Sequence, residues 1–174
     1  MNAEIDISNV VLRTERLVLR PWRESDLDDF FEYASVDGVG EMAGWLHHKT
    51  KEETQAVLTA FISGKKTFAI ERGGGIEKYD EEKLPEFSDK SGRELGFVLS
   101  KAYWGNGYMA EAVRAVIDYL FGQVGLDFIA CGYFTDNPQS KRVQEKCGFA
   151  FYKYSKYTTA YGVTKDECIN VLLG

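Results

Sequence analysis

A single α/β domain built around a mixed sheet is the fold class that this sequence predicts, and three observations predict it. Short runs with strand periodicity interleave with longer runs at helical spacing, in the order β-α-α-β-β-β-α-β-α-β-β. No internal repeat and no linker divides the chain, so residues 1–174 read as one domain. A length of 174 residues with 44% hydrophobic content is enough to bury one core without disulfides or metals.

Each element has its own signal. "TERLVLR" at 14–20 alternates, with Leu17 and Leu19 on one face and Arg16, Val18 and Arg20 on the other, and Pro21 stops it. Ser25 is placed to cap a helix through "DLDDFFEYA", whose first turn is acidic. The segment from there to about His48 carries no period. Thr50 with Glu53 fits a capping box, and Gly64 is placed to end the helix it opens. "KTFAIER" is a strand that "GGG" at 73–75 turns back into "IEKY". Residues 80–93, charged and aperiodic, read as an exposed loop before the buried strand "ELGFVLS" at 94–100. Met109, Ala112, Val113, Val116, Ile117 and Leu120 recur at helical spacing, and that helix ends near Gly122. "LDFIACGYF" is a strand, Pro138 opens a helix that Gly148 closes, and "FAFYKY" and "CINVLL" supply two last strands.

Composition excludes several classes of function. A formal net charge of −6 argues against a nucleic-acid binder that depends on a broad basic surface. No apolar run approaches a membrane span. The acidic start "MNAEIDISNV" lacks the basic residues of a secretory signal, which points to the cytoplasm. Cys131, Cys147 and Cys168 form no C-x-x-C pair and read as reduced core thiols. His47 and His48 are adjacent, which suits no shared metal, and no ligand set has zinc spacing, so no metal is expected.

The stretch "AYWGNGYMAEAV" at 102–113 carries the chemistry. Gly105, Gly107 and Ala110 spell G-x-G-x-x-A at a helix start, where backbone approaches something closely. A dinucleotide site is one reading, with Asp127 about twenty residues on. Against it, "KAYW" separates the strand from the first glycine, and Asp127 begins a strand rather than ending one. A tight turn with no ligand is a second reading. The next strand-helix unit, however, carries its own polar set, "TDNPQSKR", and two helix N-termini facing one crevice suit an anionic, phosphate-bearing ligand.

"LRTERLVLRPW", "ELGFVLSKAYWGNGYMAEAV" and "NPQSKRVQEKCGF", in that order, resemble the GNAT superfamily of acetyl-CoA-dependent N-acetyltransferases, and within it the ribosomal-protein-alanine (RimJ/RimL-type) branch. The likeness runs from about residue 12 to residue 155. It implies a mostly antiparallel mixed sheet flanked by helices and splayed between two parallel strands, with acetyl-CoA in the opening. Phe97, Val98 and Leu99 would run beside the pantetheine. Trp104, Gly105, Asn106, Gly107, Tyr108, Met109 and Ala110 would wrap the pyrophosphate with backbone N–H groups, which a side chain at either glycine would obstruct. Lys141 and Arg142 would reach the 3′-phosphate. The sequence departs from the family in three places. Trp104 and Met109 stand where the turn usually has Gln or Arg and Gly or Ala. Gln144 stands where many members have the tyrosine that protonates the leaving group. The hairpin around "ERGGGIEKY" is shorter than usual.

The implied reaction is attack of a primary amine on a thioester. An α-amine, with a pKa of roughly 7.7–8, needs less help than a lysine at about 10.4, and no dedicated base is obvious, which favours an α-amine such as a (ribosomal) protein N-terminus. Glu94 is the candidate for a water-relayed base, Asn137 for a partner of the pantetheine amides, and Ser140 for the hydroxyl that meets the thiolate. Each has a plainer role: a strand-end carboxylate, a helix cap, a first-turn hydroxyl. Two further readings stay open. One is a catalytically weak acyl-CoA-binding or interaction protein of the same fold. The other is an acetyltransferase for a polyamine, amino acid or aminoglycoside. Monomer and homodimer are equally compatible with the sequence.

Overall fold

The structure is a computed structural model that describes residues 1–70, 74–78 and 80–174. Its strands are β1 (Leu12–Arg13), β2 (Val18–Pro21), β3 (Thr67–Ile70), β4 (Gly74–Glu77), β5 (Gly92–Phe97), β6 (Phe128–Phe134), β7 (Ala150–Thr158) and β8 (Thr164–Leu173). Its helices are α1 (Leu27–Ala34), α2 (Lys51–Gly64), α3 (Tyr108–Tyr119) and α4 (Pro138–Lys146). The eight strands form one sheet in the order β1-β2-β3-β4-β5-β6-β8-β7. Among these eight strands the central pair, β5 with β6, is parallel and the other ladders are antiparallel; outside them, Asn2 makes an isolated parallel bridge to Gly92.

The alternation of side chains along the strands sorts the core into two faces. Leu95, Ile129 and Cys131 point to one face and pack with Met109, Val113, Val116 and Leu120 of the α3 side. Ala130, Ile169 and Val171 point to the other, where Leu84 covers them. Beyond β3, Trp22, Phe30, Leu58 and Ala69 form a third cluster under α1 and α2. Residues as enclosed as Leu19, Leu58 and Phe128, each at 0% exposure, contribute about 1.5–3 kcal/mol apiece by burial.

Several expectations need correction. The first strand is a hairpin: Thr14 and Leu17 exchange bonds in a turn, and β2 ends at Pro21, which pairs with Phe68 as its last residue. Ser25 does not cap α1: it lies in a short 3-10 turn, Glu24–Asp26, ahead of the helix, and the Asp26 carboxylate closes that turn by accepting from Arg23 N at 2.8 Å while Arg20 donates to both its oxygens at 2.7 Å. Thr50 caps α2, but Glu53 accepts from Lys49 N rather than completing the box. Lys65, at φ 53°, takes the left-handed position one residue after Gly64. The strand predicted over 94–100 starts at Gly92 and ends at Phe97. The charged loop before it is anchored, because Leu84 is buried at 2% exposure. A π turn over Leu120–Val124 carries α3 past Gly122 to Gly125. Gly74 and Gly75 belong to β4, opposite Phe68 and Thr67, and not to the turn expected at 73–75; residues 71–73 and Tyr79 lie outside the described residues.

Candidate active site

The parallel pair at the sheet centre is short. Gly92, Arg93 and Glu94 pair with Phe128, Ile129 and Ala130, and no ladder partner follows. Beyond that point β5 keeps its hydrogen bonds to β4 through Leu95, Gly96 and Phe97, so its other edge faces an opening. The Cys131 thiol donates to the Leu95 carbonyl across 3.0 Å at the root of this opening. Burial pushes the Cys131 thiol well above its ordinary pKa, which makes it a core group and not a nucleophile.

A cleft of about 320 Å³ fills the opening between α3 and α4. Phe97, Val98 and Leu99 line it from β5 and its extension. Trp104, Gly105, Gly107, Tyr108, Met109 and Ala110 line it from the turn and the start of α3. Gly105 and Gly107 have φ of 81° and 78°, the left-handed region that glycine tolerates best. A Cβ at Gly105 would meet nothing within 4 Å, and one at Gly107 only Arg16, at 3.7 Å. The chain therefore needs glycine here for its backbone shape, and the space a side chain would take stays open for a ligand.

The turn is held from three sides. Trp104 Nε1 donates to Leu99 O at 2.7 Å, and Asn106 Nδ2 donates to the carbonyls of Tyr103 and Trp104. Arg16 lies over the Tyr108 ring at 4.6 Å, donates to Asn106 O at 3.1 Å, and pairs with Glu111. Glu111 also accepts from Thr14, and these bonds hold its carboxyl below the usual range. The first backbone bond within α3 runs from Glu111 N to Gly107 O, so the N–H groups of Met109 and Ala110 precede the helical ladder and lie at its positive end. Such donors fit a pyrophosphate.

The facing wall comes from α4. Asn137 Oδ1 caps the helix by accepting from Ser140 N at 3.1 Å, and its Nδ2 donates to Met42 O at 3.3 Å. The Ser140 hydroxyl accepts from Gln144 Nε2 at 3.3 Å, which leaves its own proton to donate. Gln144 is fully buried and also bonds Gly132 O and Asn170, so its side chain is committed to the core. Arg142 and Lys146 stand at the cleft. Lys141 is exposed, pairs with Glu145 at 3.8 Å and does not line the cleft; neither does Asn106.

A second cavity of about 150 Å³ adjoins the cleft and shares Met42, Ala43, Phe97, Asn137 and Ser140 with it. Glu94 lines this cavity, together with Gly132, Tyr133, Phe134, Tyr157 and Glu167. Glu94 and Ser140 thus both border it, from the two sides of the opening. Asp127, by contrast, exchanges bonds with the Ser91 backbone before β6. In a parallel pair that is the opposite end of the sheet from the glycine turn, which removes the ribose acid that a dinucleotide reading requires.

Sequence reasoning missed the loop between α1 and α2, whose Val39, Met42 and Ala43 line the cleft, and Arg16, which looked like the polar face of a strand. Only an aperiodic, small-residue stretch hinted at the loop. Glu41 fixes it by accepting from the backbone N–H groups of Gly38 and His47 and from the His47 ring. Burial raises its pKa, but these bonds outweigh that and hold it at about 2. Asp37, Glu41 and His47 bring possible ligand atoms within 4.8 Å of one another, a grouping the sequence did not suggest. His48 turns away to Thr54. Among the described residues no helix is long and apolar enough to cross a membrane.

Known proteins resemble this chain throughout. A protein-family model described as the acetyltransferase (GNAT) domain matches residues 16–150. An uncharacterized N-acetyltransferase of Bacillus subtilis, YoaA, is 30% identical over 148 residues, covering 80% of this chain and 82% of its own. The crystal structure of a GNAT-family acetyltransferase from Bacillus anthracis superposes with a TM-score of 0.80 at 25% identity, over 94% of this chain and 98% of that one. The ribosomal-protein-S5-alanine acetyltransferase of Vibrio fischeri shares the fold, with a TM-score of 0.71 at 18% identity over 95% and 97%.

Proposed function

The chain belongs to the GNAT family of acetyl-CoA-dependent N-acetyltransferases, and from that premise we propose that it acetylates a primary amine entering through the second cavity, with the α-amine of a protein or peptide N-terminus as the favoured acceptor. The observation that carries this reading is the junction of the two cavities at Phe97, Asn137 and Ser140. A donor held in the cleft and an acceptor held over Gly132 would meet there.

Acetyl-CoA supplies the activated acyl thioester. The backbone from Gly105 to Ala110 would hold its pyrophosphate, Phe97–Leu99 would flank its pantetheine, and Arg142 with Lys146 would offer cations to a further phosphate. Glu94, bordering the acceptor cavity, would take the proton of the amine through water. Ser140 would direct its hydroxyl proton to the departing sulfur, and the N-terminus of α4 would favour the charge that develops there. An α-amine suits this arrangement because a good share of it is neutral without help. The Vibrio fischeri neighbour, which by its name acts on a ribosomal protein, supports the same acceptor class by fold.

One observation favours a second reading, an acyl-CoA-binding protein of low activity: the position of the usual phenol holds Gln144, which is buried and fully engaged. Free-thiol release from acetyl-CoA decides between the two. It would be measured with peptides bearing Ala or Ser N-termini and with small amines, and products would be identified by mass spectrometry. Acetyl-CoA binding without thiol release from any amine would leave only the second reading.

A further inference from the structure

Glu167 has no part in the reading above, and its setting is unusual. It stands on β8 opposite Phe134, with its residue only 5% exposed. A buried carboxylate is costly unless it is paired, and Lys83 reaches in from the charged loop to bond Oε2 at 2.8 Å. The Lys83 ammonium also lies 5.5 Å from the centre of the Tyr157 ring. The other oxygen, Oε1, extends over Gly132. A methyl group added there would lie 2.5 Å from it and 3.6 Å from Glu94 Oε1. Glycine inside a strand weakens it, and such a residue usually marks a close approach. Here it clears the floor of the acceptor cavity for this carboxylate. One oxygen is thus fixed by Lys83, and the other is directed into the cavity beside Glu94.

We propose that Glu167 anchors the acceptor: Oε1 accepts a hydrogen bond from the primary ammonium of the incoming amine, and Lys83 holds the carboxylate in place for it. The proposal rests on the acetyl-transfer reading for the identity of the cavity, but its chemistry is separate. A carboxylate so enclosed distinguishes an ammonium from a neutral group of the same shape, because the charge-assisted bond is the stronger one. The shared chemistry is a primary ammonium, which an aliphatic amine and a peptide N-terminus both carry.

Calorimetry on protein saturated with CoA, where no turnover occurs, tests the anchor directly. The probes are 1,4-diaminobutane, alanyl-alanine amide and, as the neutral isostere, 1,4-butanediol. Wild type should bind at least one ammonium probe and not the diol, and the probe that binds tells the aliphatic amine from the peptide terminus. Glu167→Gln should weaken that binding about ten- to a hundredfold, the usual worth of a hydrogen bond to a charged group. Gly132→Ala should act in the same direction from a different strand by displacing Oε1, and Glu167→Asp by shortening its reach while keeping the charge. CoA affinity, measured in parallel, reports that each variant is folded. Failure of wild type to bind either ammonium, or undiminished binding by Glu167→Gln and Glu167→Asp, overturns the anchor. Amine binding without thiol release from acetyl-CoA would sink the acetyl-transfer reading and leave the anchor standing. Turnover with an unchanged acceptor KM in Glu167→Gln would do the reverse.

Discussion

The Asn137 side chain donates to the Met42 carbonyl at 3.3 Å while its oxygen caps α4 at Ser140 N. One amide therefore ties the loop that walls both cavities to the helix that carries Ser140. Asn137→Asp keeps the capping oxygen and loses the donor; Asn137→Ala loses both. The alanine variant should lose about 1 kcal/mol and melt about 2–4 °C lower. The aspartate variant should melt near wild type yet share its raised acetyl-CoA KM. Equal KM values in wild type and the aspartate variant would show that the Met42 bond does not shape the cleft.

Gly105 offers a cleaner test of the proposed pyrophosphate contact than Gly107, since a Cβ there meets nothing within 4 Å. Gly105→Ala should cost about 1–2 kcal/mol for holding alanine at positive φ. Its acetyl-CoA affinity should fall by at least about tenfold, as the methyl enters the space meant for the ligand and more than one donor is disturbed. Calorimetry on folded protein reads both. Undiminished affinity would move the pyrophosphate elsewhere.

Ser140→Ala separates a hydroxyl that serves the sulfur from one that merely accepts from Gln144. If the hydroxyl takes full part in the proton transfer, kcat should fall about 10²–10⁴-fold while acetyl-CoA binding stays near wild type. An unchanged kcat would assign leaving-group protonation to solvent.

Asp80, Glu81, Glu82, Glu86 and Asp89 lie on the segment that sends Lys83 to Glu167 at the second cavity. Acceptor KM should rise with ionic strength as salt screens this acidic rim, while acetyl-CoA KM changes less. Acceptor kinetics insensitive to salt would mean that the rim does not steer the substrate.

Glu41 gives the active-site loop an acid limit. Its pKa falls from an ordinary 4.5 to about 2 in the folded protein, because the bonds from His47 and Gly38 outweigh the opposing effect of burial. A carboxylate lowered in this way stabilises the fold fully above its unfolded value, and that contribution fades as pH drops from 4.5 toward 2. Melting curves of wild type and Glu41→Gln should therefore differ at neutral pH and converge through this window. A constant difference down to pH 2 would remove Glu41 as the source.

The periodic elements were legible because burial imposes a period. Met109, Ala112, Val113 and Val116 line one helical face, and they are buried as that spacing requires. Gly105 and Gly107 were legible as positions that need glycine beside a helix start, read as a close approach of backbone; that each sits at positive φ came from the structure. Arg16 and the Glu41 loop were not legible. Their roles depend on Tyr108, Glu111, His47 and Asn137, which are distant in sequence or lie in aperiodic turns.

The sequence by itself determined the α/β class, the order of its elements after the first hairpin and the place of the glycine turn, because local period and glycine placement depend on near neighbours. Only the tertiary structure decided that Glu94 and Glu167 share one cavity over Gly132. That meeting follows from the register of β5, β6 and β8, a pairing of residues far apart along the chain that no local pattern encodes.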